Sequence, residues 1–98
     1  MQLDFPKELD GAKVILFAHL LEICLGHSYE TGKKLEGHFV AIAQYENDAP
    51  RVYIFLVSDG LEVIGDFLCD SIEDAQTGNY YGMVKNDWIS VSAASQFN

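Results

Sequence analysis

Across residues 38–46 apolar and polar side chains alternate: Phe39, Ala41, Ala43 and Tyr45 fall on one side, Val40, Ile42 and Gln44 on the other. A period of two predicts a β-strand. Asn47-Asp48-Ala49-Pro50 then brings turn-forming residues, and residues 51–58 are rich in β-branched and aromatic side chains, so a second strand should return antiparallel to the first. Asp59-Gly60 suits a two-residue type I′ turn, whose central positions take positive φ, and residues 61–69 supply a third strand. The pattern therefore predicts an antiparallel β-meander over about 38–46, 51–58 and 61–69.

A slip of one residue exchanges the faces of a strand, so register decides what the meander buries. A two-residue turn pairs Leu56 with Val63, Ile54 with Gly65 and Val52 with Phe67. A four-residue loop pairs Tyr45 with Val52, Ala43 with Ile54 and Ala41 with Leu56, which extends one apolar face and leaves room over the two alanines for a helix. The opposite face then carries Val40, Ile42, Gln44, Tyr53, Phe55, Val57, Glu62, Ile64 and Asp66, with Phe55 opposite Ile64 and Tyr53 opposite Asp66.

The flanks complete an α+β reading. Residues 10–25 read as a largely buried helix, with Asp10 as cap, Gly26 as terminator and a narrow polar stripe of His19 and Glu22. The rival is a long strand starting at Ala12, since apolar runs fit either element. With the helix adopted, the expected fold is a small single domain over residues 1–98, its meander packed on one face by an N-terminal helix. Ser71-Ile72-Glu73-Asp74 resembles a capping box and opens a short helix near 72–77, and alternation near 88–92 predicts a last strand.

Composition narrows the function. A 98-residue chain, 49% hydrophobic, can bury one core. Its net charge of −9 repels phosphate backbones, so direct nucleic-acid binding is disfavoured and a basic protein partner is favoured. The first residues lack a basic segment leading into an apolar stretch, and residues 14–25 are too short and too interrupted to span a bilayer, so a cytoplasmic protein without membrane contact is expected. Cys24 and Cys69 lack a C-x-x-C spacing and read as two reduced thiols.

Candidate chemistry is sparse. His19, His27, His38, Cys24 and Cys69 could supply metal ligands, but the single C-x-x-H step at Cys24 and His27 lacks a second close pair, so no metal is expected. No G-x-S-x-G elbow or phosphate-cradling glycine loop occurs, and neither an enzyme nor a cofactor is expected.

Charge pattern carries more. Residues 59–74 hold six acids (Asp59, Glu62, Asp66, Asp70, Glu73, Asp74) and no Lys or Arg. Asp59 belongs to its turn, and Glu73 with Asp74 complements a helix N-terminus. Glu62 and Asp66 have no folding role legible in sequence and border the aromatic face, so Tyr53, Phe55, Glu62, Ile64 and Asp66 form the candidate partner-binding site. The favoured function is an acidic protein-binding module, an inhibitor or immunity-type protein or antitoxin that occludes a basic site on a partner such as a nuclease toxin. The alternatives are a small enzyme or ligand-binding domain with a pocket between sheet and helix, and a homo-oligomeric subunit joined as a homodimer through the second sheet face.

Overall fold

The computed structural model describes residues 5–84 and 88–91. Its strands are β1 (Glu8–Leu9), β2 (Ala12–His27), β3 (Lys34–Gln44), β4 (Val52–Ser58), β5 (Val63–Cys69) and β6 (Ile89–Ser90), with one short helix, α1 (Ile72–Thr77), between β5 and β6. They form one antiparallel sheet in the order β1-β2-β3-β4-β5, with β6 also paired to β2. The sheet curls into a half-barrel. Ser92, the end of the anticipated last strand, lies outside the described residues.

The α+β expectation is overturned, because the segment read as an N-terminal helix is the 16-residue strand β2. A continuous apolar run fits a strand buried on both faces as well as it fits a buried helix. Pairing with β3 settles the choice: Phe17 lies opposite Ala41 and Val14 opposite Ala43, and across β3 those alanines face Phe55 and Tyr53. The two alanines are therefore small residues between larger neighbours, in rows Phe17–Ala41–Phe55 and Val14–Ala43–Tyr53. No helix fills the space above them.

Register is the second correction. β3 and β4 pair one residue away from the anticipated alignment, with Ile42 opposite Ile54 and Ala41 opposite Phe55, which moves Phe55 and Tyr53 onto the alanine face. The β4–β5 turn is longer than two residues. Ser58 accepts the Leu61 N–H at 2.9 Å and donates its own to the Glu62 carbonyl at 2.8 Å, so Asp59, Gly60 and Leu61 form the loop. Positive φ falls on Leu61 (65°), the arrangement of a three-residue loop that ends in a left-handed residue. A further shift follows between Leu56 and Val57: Val57 opposes Val63, but Leu56 opposes Gly65, so Ile64 is an extra residue that bulges β5.

Both faces of the sheet are consequently core. One gathers Phe5, Leu9, Phe17, Phe39, Ala41, Ala43, Phe55, Val57 and Val63, with Phe5 stacked on Phe17 at 4.3 Å between ring centroids. The other gathers Val40, Ile42, Val52, Ile54, Leu56, Ile64 and Cys69, covered by Ala75 of α1 and by Tyr80, Tyr81, Val84 and Trp88. Ser71 caps α1 by accepting the Asp74 N–H at 3.1 Å, and Glu73 and Asp74 occupy the first turn.

The β2–β3 hairpin extends past β4, whose last pair with β3 is Gly37 with Ser58. Between the His19–Phe39 and Cys24–Gly37 pairs β2 advances five positions while β3 advances two. The surplus on β2 bends the hairpin toward β5, until Gly26 lies against the Ile64 carbonyl. A Cβ on Gly26 would stand 2.5 Å from that oxygen, so the closure needs glycine. Residues 80–84 fill the remaining seam: Leu20 bridges to Val84, the Leu21 N–H donates to the Met83 carbonyl, and Tyr81 lies beside Gly65.

Candidate functional site

The five residues of the anticipated site do not share one surface. Phe55 (1% exposed) and Ile64 (3%) are buried in opposite cores, because the bulge and the register of β4 separate them. Tyr53 is half-buried, edge-on to Tyr45 and offset from Phe55. Glu62 is half-buried and Asp66 exposed, and both are tied to the hairpin tip. Ser28 Oγ donates to Glu62 Oε2 at 2.5 Å, and Tyr29 Oη donates to Asp66 Oδ2 at 2.7 Å. The two acids therefore do serve the fold, anchoring hydroxyls 34 and 37 positions away. No local pattern could have shown these bonds.

Three residues in a row on β5 reach solvent: Asp66, Phe67 (47% exposed) and Leu68 (50%). The sequence reading placed Phe67 in the core opposite Val52, whereas it lies opposite Ile54. Its ring meets Tyr80 and Tyr81 at centroid distances of 5.4 and 5.3 Å. Tyr80 Oη donates to Asp74 Oδ2 at 3.0 Å. The exposed strand is thus framed by tyrosines, with Tyr29 bonded to Asp66 at one side and Tyr80 and Tyr81 packed on Phe67 at the other.

Among the described residues the negative charge here has no internal counterion. Among the described residues Arg51 forms an ion pair with Asp48 at 2.6 Å, and His38 Nε2 lies 3.6 Å from Glu36 Oε1. None of the six acids of residues 59–74 meets a Lys or Arg among the described residues; Glu62, Asp66 and Asp74 instead accept hydrogen bonds from hydroxyls.

The same acids alter their tyrosines. Burial pushes the Tyr29 phenol well above its usual value, and the hydrogen bond to Asp66 and its charge add to the shift. Tyr81 is raised chiefly by burial and then by the charge of Asp66. Tyr80 is pushed up to about 12, first by its bond to Asp74. A phenol whose pKa is raised by folding contributes stability in full below its unfolded value of about 10, and that contribution disappears as pH climbs through the folded value. The urea midpoint should therefore begin to fall above about 8.5, where the buried Cys69 thiol, also held above its ordinary value, loses its contribution, and fall further above about 10 as the tyrosines do. Tyr29→Phe should flatten part of that fall, and an equally steep curve in this variant would refute the role given to the Tyr29–Asp66 bond.

Other chemistry is thin. The pocket expected between sheet and N-terminal helix does not form, because that segment is β2; His19 instead lies beside the Phe39 ring at 4.9 Å, and Glu22 is exposed. A groove of about 310 Å³ runs between Leu21, Ile23 and Cys24 of β2 and Tyr81 and Met83, open to solvent. Among the described residues no three His, Cys, Asp or Glu side chains gather as a metal site, and no helix is long and apolar enough to cross a membrane. Comparison with protein-family models, curated proteins and solved structures found no match to this chain.

Proposed function

We propose that this chain is an acidic protein-binding module of the inhibitor, immunity or antitoxin kind, and that it captures a basic protein through the exposed side of β5. The observation that supports this reading is the charge of residues 59–74, which no Lys or Arg of the described residues compensates, set around the half-exposed Phe67 and Leu68. Uncompensated charge accelerates encounter with an oppositely charged surface, and adjacent apolar side chains supply area to bury once contact is made. The contact residues differ from those anticipated: Asp66 and Glu62 remain, Tyr53 lies at the margin, and Phe67 and Leu68 take the places of the buried Phe55 and Ile64.

Affinity capture from native extract at low salt should recover a basic protein, and elution should follow rising ionic strength. Asp66→Lys should slow association with that protein by about tenfold or more. Its folding cost should stay within about 1–2 kcal/mol, because the Tyr29 bond it removes is exposed. Binding that ignores both salt and the charge reversal would sink the proposal.

A further inference from the structure

We infer that the basic partner binds by adding a strand to the outer edge of β5, through an extended segment carrying Lys or Arg at alternate positions. This rests on the acidic-module reading and specifies how its partner docks. Ser58 turns its N–H toward Glu62 of the returning chain. Antiparallel backbones alternate, so Leu56 and Ile54 also face β5, and their partners Gly65 and Phe67 face β4. The N–H and C=O groups of Asp66 and Leu68 then point away from the sheet. No hydrogen bond within the described structure reaches them, and β5 pairs with β4 alone.

Exposed edges are normally blunted by lysine, proline, a bulge or a covering segment. On β5 the bulge at Ile64 and the packing of Gly26 protect only the first end, and Gly65-Asp66-Phe67-Leu68 contains neither lysine nor proline. Charge selects the occupant. A second copy would bring another net −9 and another Asp66 to the same edge, whereas a basic strand places a cation beside Asp66, whose Oδ1 has no partner among the described residues. On the opposite face an alternating strand would offer apolar side chains to Phe67. Main-chain bonds supply affinity in such additions, and alternate side chains supply selectivity.

The test uses the full chain, labelled for amide exchange, at low ionic strength with two synthetic peptides of about eight residues, the length of an ordinary strand. One alternates Lys with Val; the other puts proline in place of one inner Lys and one inner Val and restores the lysine at its end, which keeps the charge and removes a ladder donor in either strand direction. The Lys–Val peptide should slow exchange at the Asp66 and Leu68 amides by about tenfold or more, and the proline peptide should not. If both peptides bind alike and these amides are unchanged, strand addition is refuted while charge-driven binding survives. If neither peptide binds, both readings are refuted. Protection that appears at the β2 amides, or that grows with protein concentration in the absence of peptide, assigns pairing to another edge or a second copy and also overturns the inference.

Discussion

Phe55→Ala is expected to destabilise the native state by about 3–5 kcal/mol, the usual cost of truncating a fully buried phenylalanine. The ring is 1% exposed, stands opposite Ala41 of β3, and belongs to the same core as the Phe5–Phe17 stack. Removing it leaves a cavity that a sheet held from both sides can close only in part. A loss of that size is a large share of the ~5–15 kcal/mol that stabilises a domain. Urea unfolding monitored by Trp88 fluorescence measures it directly. Phe67→Ala, on the exposed side of β5, serves as the comparison and should cost about 1 kcal/mol. The pair discriminates between two registers, because the alignment read from the turns buries Phe67 and exposes Phe55. A near-neutral Phe55→Ala beside a severe Phe67→Ala would refute the pairing described for β3, β4 and β5.

Gly26→Ala should cost about 1–3 kcal/mol, through overpacking rather than a cavity. The added Cβ would lie 2.5 Å from the Ile64 carbonyl oxygen and 3.0 Å from Ile64 Cγ1, and a backbone oxygen cannot swing aside as a side-chain tip can. The hairpin tip must lift from β5, which lengthens or breaks the Ser28–Glu62 and Tyr29–Asp66 bonds. Two readouts follow. The melting temperature should drop, and the Tyr29 phenol should titrate closer to its ordinary range as its contact with Asp66 is lost. A melting curve and a tyrosine titration both matching the parent would show that the hairpin does not close on β5.

Some elements were legible because their causes are local. Ser71 caps α1 through a bond to the backbone three residues on, and the alternation of residues 38–46 marks a strand wherever it packs. The Asp59-Gly60 turn was identified correctly as a chain reversal, but its length was not, since the left-handed conformation fell on Leu61, a residue that disfavours it. One additional loop residue and the bulge at Ile64 then displaced every pair along β5. β2 escapes a local reading for a different reason. Its apolar run is compatible with two periodicities, and only burial on both sides, against the Phe5 group and against the α1 side, distinguishes them.

The candidate site divides along the same line. Six acids without a cation between residues 52 and 84 are a property of the chain, as are the turn and cap chemistry and the succession of paired strands over residues 38–69. Which acids anchor the hairpin and which aromatic rings are buried were settled only in the folded sheet. Propensity, capping and charge act over a few residues and can be read in order along the chain. Register is chosen by the summed fit of whole strands, so a preference spread over two cores outweighed the turn that suggested another alignment. The bonds to Glu62 and Asp66 exist because curling brings together positions distant in sequence.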